Sequence, residues 1–275
     1  MKLFLITLFC LPAIYCNCQY YYNDIVLPRQ ALKQYIALKN NHIIQVTATS
    51  YESNGNATDN FKLEQQLTAN ASSITSYYTF PSSGNTVTTN FYVNNRPSST
   101  IDSSGNVATT TAYTYDASGN ILSILIKTED AFMGSHSEEL HEWTYKNGKP
   151  FSMLKLKDHT DSTLIEFSYD EQGNIAQENW KRKGRLAESY FYYYNADKQL
   201  TDIVRFNNKA RKMLPDFLLE YNKIDQLTQM IQIPVGSSDY LVWKYVYAAN
   251  GLKEREVCFD KKNQLVGRIE YHYQQ

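Results

Sequence analysis

Tyr113-Thr114-Tyr115-Asp116-Ala117-Ser118-Gly119-Asn120-Ile121 returns as Phe167-Ser168-Tyr169-Asp170-Glu171-Gln172-Gly173-Asn174-Ile175. Looser copies run from Tyr192-Tyr193-Tyr194-Asn195 to Lys198-Gln199-Leu200, and from Tyr221-Asn222 to Asp225-Gln226-Leu227. The aromatic that precedes the turn falls at Tyr115, Tyr145, Tyr169, Tyr194, Tyr221, Tyr247 and Tyr273, every 24 to 30 residues. That period holds about two eight-residue strands and two short connections, so each unit is a β-hairpin and successive units form an antiparallel meander. Asp116 and Asp170 are placed to accept backbone N–H bonds within their turns. Gly119 and Gly173 supply a positive φ. Aromatics two apart, such as Tyr113 and Tyr115, project to one face and can stack with the pair on the next unit.

Outward from these copies, Trp143-x-Tyr145 before Asn147-Gly148, and Tyr245-x-Tyr247 before Asn250-Gly251, keep the same logic. Upstream, Tyr78-x-Phe80-Pro81-Ser82-Ser83-Gly84-Asn85 reads as a degenerate copy, and Ser103-Ser104-Gly105-Asn106-Val107 as the other turn of the next hairpin. The chain is therefore expected to be mainly β, with about 16 to 18 strands. Open sheets rarely exceed about 10 strands without curling or splitting, which predicts a strongly coiled or barrel-like sheet. One helix is expected over Asp24–Asn40. Asp24 serves as N-cap, Pro28 sits in the first turn, and Leu27, Ala31, Tyr35 and Leu38 form one apolar face. Residues 19–45 then make a helical segment packed on the sheet, and 46–275 one β-hairpin domain. From Asn41 to Ile126 the basic residues are Lys62 and Arg96, amid many Ser, Thr and Asn; from Lys127 onward charge is dense and mixed.

Met1-Lys2, an apolar run from Leu3 to Ile14, and Cys16 and Cys18 at the −3 and −1 positions of a cut have the form of a secretory signal over residues 1–18. The expected location is secreted or periplasmic. Lipidation at Cys16 or Cys18 is the alternative, disfavoured by the neighbouring Tyr15 and Asn17. Cys258 would be the one cysteine left after cleavage, which excludes an internal disulfide and a cysteine-rich metal site. No stretch after the leader is apolar enough for a transmembrane helix. A net charge of −1 gives no global attraction to nucleic acid or membrane.

The Tyr-x-Tyr-Asp-x-x-Gly-Asn-Ile pattern resembles the YD repeat of Rhs-type bacterial proteins and teneurins, over roughly residues 78–275. The resemblance implies a spiralling β-hairpin architecture of the kind that forms shells in large members. It also implies similarity to small secreted bacterial YD-repeat proteins, and it carries no assigned activity.

The chain offers little chemistry in its motifs. His136-Ser137-Glu138-Glu139-Leu140-His141-Glu142 is the local cluster of possible metal ligands. As a strand it places His141 and Glu139 on one face and Glu138 and Glu142 on the other. It reads as a polar loop entering an exposed strand, because zinc sites show tighter spacing. Cys258 reads as a buried thiol, and Asp116 and Asp170 as turn caps. No catalytic residue, metal or cofactor is expected. In a meander the Tyr-Asp turns line one edge. The other edge gathers Lys181, Arg182, Lys183 and Arg185 with Lys209, Arg211 and Lys212, and with Lys261 and Lys262. Such a basic rim suits an anionic ligand. The expected function is a non-enzymatic binding or structural module at the cell envelope, for an anionic glycan or an envelope protein, with no specific nucleic acid. The alternatives are a hydrolytic enzyme with its site in the mouth of the curled sheet, and an accessory of a polymorphic-toxin system. An outer-membrane barrel is disfavoured by Lys253-Glu254-Arg255-Glu256, which puts charge on both faces of a strand.

Overall fold

The structure is a computed structural model that describes residues 19–80, 84–207, 211–234 and 237–275. A π-helical segment, Tyr21–Val26, runs directly into α1 (Leu27–Asn40). Eighteen strands follow. They are β1 (Gln45–Glu52), β2 (Lys62–Leu67), β3 (Ser73–Phe80), β4 (Gly84–Val93), β5 (Arg96–Ser104) and β6 (Val107–Tyr115). Next come β7 (Ile121–Asp130), β8 (Ser135–Lys146), β9 (Lys149–Lys157), β10 (Asp161–Tyr169), β11 (Ile175–Arg182) and β12 (Arg185–Tyr194). The last are β13 (Leu200–Asn207), β14 (Lys212–Tyr221), β15 (Leu227–Gln232), β16 (Leu241–Tyr247), β17 (Lys253–Asp260) and β18 (Leu265–Gln274). Every strand pairs antiparallel with the next, and β18 pairs with β1 from Gln45↔Gln274 to Glu52↔Gly267. The expected coiled meander is thus a closed barrel, which leaves no strand edge unpaired.

The turn repeat also bends the sheet. The register slips at Tyr115, Tyr145, Tyr169, Tyr194, Tyr221 and Tyr247, the aromatic that enters each turn. In each case one residue of the returning strand drops out of the pairing. Tyr115 faces Ile121 while Thr114 faces Ser123, for example. Bulges of this kind raise local twist and curvature. They also reset the alternation, so inward positions fall three apart after each turn. Ile121 and Ile124, Leu200 and Ile203, and Leu227 and Met230 are buried in this way. The same rule turns Lys253 and Glu256 both inward, while Glu254 and Arg255 stay exposed.

An 18-stranded ring is wide enough to leave a channel. Here the N-terminal segment lies inside it. Tyr20, Tyr22 and Ile25 share one apolar core with Trp143, Ile165, Trp180, Ile203 and Trp243 of the wall. Tyr35 and Leu38 of α1 form a second core with Val46, Leu67 and Ile74. Helical geometry begins earlier than the sequence suggests, and Asp24 caps nothing. Its carboxylate is buried and accepts from the wall instead. Tyr78 and Phe80 do share a face and stack, with centroids 6.0 Å apart. Their hairpin tip lies at the edge opposite the Tyr-Asp turns, so this stretch is out of phase with the repeat. Its turn residues 81–83, like the leader 1–18, lie outside the described residues.

Candidate functional site

Three places concentrate polar chemistry: the two ends of the barrel and the seat of the N-terminal segment within it. At one end, the Tyr-Asp turns act as caps, as expected. Asp116 Oδ1 accepts from Asn120 N at 2.8 Å, and Asp170 Oδ1 from Asn174 N at 2.7 Å. The second carboxylate oxygen of each accepts from the Asn side chain, at 2.8 and 2.9 Å. These bonds hold both carboxyls below the usual Asp range, with the Asn side chain as the largest cause. Asn195 with Gln199, and Asn222 with Gln226, repeat the closure with neutral partners.

The turn tyrosines act through their hydroxyls. Tyr115, Tyr169, Tyr247 and Tyr273 donate their hydroxyls to backbone carbonyls of the preceding unit, at Pro97, Pro150, Leu227 and Lys253. Each bond ties one hairpin to its neighbour near the bulge. Ring stacking between units is found one aromatic earlier, at Trp143 and Phe167 (5.3 Å, 7°). The residue before the accepting proline then lies over the next unit. Arg96 reaches the Tyr115 ring and Gly119, and Lys149 the Tyr169 ring and Gly173. A side chain at either glycine would collide with that cation, so glycine answers crowding as well as its φ of 86° and 81°. At the matching Lys198 and Asp225, non-glycine residues adopt φ of 61°.

At the other end, Lys181, Arg182, Lys183 and Arg185 lie at the β11–β12 tip, and Arg211 and Lys212 at the neighbouring β13–β14 tip. Lys209 lies outside the described residues. Lys181 pairs with Glu166 on the outer wall at 2.5 Å. Arg182, Lys183, Arg185, Arg211 and Lys212 are exposed. Lys261, at the β17–β18 tip, is paired with Asp239.

The interior seat was not legible as a site. Glu178 is fully buried and accepts four hydrogen bonds: Tyr20 N (2.9 Å), Tyr21 N (3.0 Å), Trp180 Nε1 (2.6 Å) and Tyr192 OH (2.6 Å). Burial raises its pKa against the pull of these donors. Gln19 Nε2 donates to Asp216 at 2.6 Å, and Arg205 holds the other oxygen of Asp216 at 2.8 Å. The signal for Glu178 is its position. It occupies the inward place three residues into the returning strand, where Ile124, Ile203 and Met230 stand in other units.

His141 is the third anchor, and it corrects the expectation of an exposed polar strand. It is buried, with Nδ1 2.7 Å from Asp24 and Nε2 2.8 Å from Glu139. Burial alone would lower its pKa, but the two carboxylates raise it to about 9. Burial pushes Glu139 upward, yet His141 and Lys155 (2.7 Å) bring it to about 2. Glu139 and His141 share the inner face, as the alternation predicts. Among the described residues no group of three or more His, Cys, Asp or Glu is arranged to hold a metal ion. Cys258 is a buried free thiol whose pKa burial raises to about 12, as expected of a core cysteine.

No family model and no curated protein matches this chain. Among solved structures it is similar to a porin-like protein from Bacteroides uniformis, at 10% identity and a TM-score of 0.41, over 84% of this chain and 96% of the other. It is also similar to a Tc holotoxin pore from Photorhabdus luminescens, at 12% identity and a TM-score of 0.34, over 78% of this chain and 12% of that one. A TcdB2–TccC3–Cdc42 structure follows at 10% identity and a TM-score of 0.21, over 81% and 19%. The chain thus spans less than a fifth of either toxin chain. Likenesses this loose say nothing of what the barrel binds.

Proposed function

We propose that this chain is a YD-repeat-related, secreted barrel that works without catalysis as a binding module at the bacterial cell envelope. Its ligand class would be an anionic glycan, met at the basic edge. The occupied lumen carries this reading: Glu178, Asp216 and His141 hold the chain's own N-terminal segment where a porin would have water. Recognition then falls to the barrel's ends and outer wall. That wall bears ion pairs such as Lys127–Glu138, Lys181–Glu166 and Arg268–Glu270. Charge at these positions favours water over lipid, since a lipid-facing barrel shows an apolar band. Exposed Arg182, Lys183 and Arg185 supply donors suited to carboxylate or sulfate groups.

The test is retention on immobilised polygalacturonate or a sulfated polysaccharide at physiological salt. The wild type is expected to bind, and the triple variant Arg182→Gln, Lys183→Gln, Arg185→Gln to pass through. Equal behaviour of the two proteins would reject the basic edge as the site. Fractionation after alkaline extraction checks the location, with recovery in the soluble fraction expected.

A further inference from the structure

A cleft of about 240 Å³ opens between the start of the helical segment and three turns of the Tyr-Asp end. Its walls include Tyr21 and Arg29 from the N-terminal segment, Lys149 and Tyr169 from adjoining strands, and Tyr194 and Lys198 from the next unit. Three of these side chains are cations, and no Asp or Glu lines the cleft. Asp170, in the turn that carries Gly173 and Asn174, has both oxygens engaged by Asn174.

Some of the barrel's cations are neutralised by ion pairs. Lys33 pairs with Asp225, Lys155 with Glu139, Arg205 with Asp216 and Lys253 with Glu256. Among the described residues, Arg29, Lys149 and Lys198 enter no ion pair. Lys149 is held in place by neutral partners, donating to Gly173 O at 3.1 Å above the Tyr169 ring. A second cleft on the barrel offers an internal contrast. It is lined by Glu254, Tyr271 and Tyr273 and contains no cation.

We propose that the cleft between Arg29, Lys149 and Lys198 is a binding site for a ring-sized organic anion, a sugar bearing a carboxylate or phosphate group. The charge comes from three unpaired cations converging on one space, and Arg29 brings the planar fork that matches an oxyanion. Tyr21, Tyr169 and Tyr194 provide amphipathic walls suited to a sugar ring. The volume lies below the roughly 300–1,000 Å³ of sites for drug-sized ligands, which sets the ligand near one ring. This site shares no residue with the basic edge at the opposite end, so either can fail without the other.

Calorimetry with glucuronate, glucose 6-phosphate, neutral glucose and inorganic sulfate tests it, with amide shifts at Gly173 and Asn174 as the local readout. Glucuronate or glucose 6-phosphate is expected to bind and to move those amides; which of them binds distinguishes carboxylate from phosphate recognition. Glucose should not bind, and sulfate should bind more weakly than the sugar anion. Arg29→Gln and Lys198→Gln alter exposed side chains and should each weaken binding about tenfold, the loss of one charge-assisted contact. The Arg182, Lys183, Arg185 triple variant should bind the sugar anion as the wild type does. Absence of binding by both sugar anions at millimolar concentration overturns the proposal. So does binding that Arg29→Gln and Lys198→Gln leave unchanged, or equal affinity for glucose.

Discussion

The two sides of the barrel share one hydrogen-bonding plan and differ in what they enclose. From β8 to β13 the inner wall presents Trp143, Met153, Ile165, Trp180 and Ile203, all buried around the N-terminal segment. From β4 to β6 the wall is rich in Thr, Ser and Asn, and no residue of β5 or β6 is buried, although Tyr113 and Tyr115 pack partly buried against the core. Its contacts are hydroxyl rungs such as Thr75–Thr89 (3.1 Å), Thr109–Thr128 (3.1 Å) and Thr100–Asn90 (2.9 Å). Backbone pairing therefore suffices to continue the ring, while burial is concentrated where the N-terminal segment sits. Stability should be uneven in the same way, since amide opening follows burial and packing.

Removing the main anchor should expose this contrast most strongly. Glu178→Ala leaves four donors, three of them buried, without an acceptor. At about 1–3 kcal/mol for each unsatisfied group, we expect a loss of roughly 4 kcal/mol or more. Chemical denaturation and near-ultraviolet dichroism of the tryptophans would measure it. A shift below about 1 kcal/mol would mean that the segment does not brace this wall.

The His141 anchor should give the next largest effect, and it has a sign in pH. Its folded pKa, about 9, lies above the ordinary 6.5, so its stabilisation is complete below about pH 6.5 and fades as pH rises through 9. The difference corresponds to roughly 3 kcal/mol. Denaturation midpoints should fall between pH 7 and pH 10 in the wild type, and His141→Gln should flatten that slope. An unchanged slope in the variant would place the proton elsewhere.

A turn on the packed side should matter less. Asp170→Ala removes the two part-buried bonds to Asn174, and a smaller loss of stability by denaturation is expected. The smallest effect belongs to the hydroxyl wall. Thr88→Val breaks a 3.3 Å bond to Asp102 but keeps shape, so a change within about 1 kcal/mol is expected. Hydrogen exchange gives the companion measurement: amides of β5 and β6 should exchange before those of β11 to β13. Uniform protection around the ring would erase the distinction between the two walls.

Much of this architecture is legible in the residues. The repeating aromatic gives the hairpin period, Asp and Gly give the turn, and the strand number forces curvature. Charged residues were harder to place, because strict alternation fails after each turn. Glu178 and Lys253 look like solvent-facing strand residues until the bulge is counted. With it, both fall on the inner face, and Glu178 becomes a carboxylate in a row of apolar positions. Alternation puts His141 and Glu139 on one face, but read locally that face is an exposed polar one. Its burial depends on Asp24, 117 positions away along the chain.

Local chemistry by itself thus determined the hairpins and their turns, since those depend on neighbours within one unit. Closure of β18 on β1, capture of the N-terminal segment by Glu178 and His141, and the meeting of Arg29 with Lys149 and Lys198 depend on contacts between distant units. Only the tertiary structure decided them, because curvature accumulated over many bulges brings those residues together.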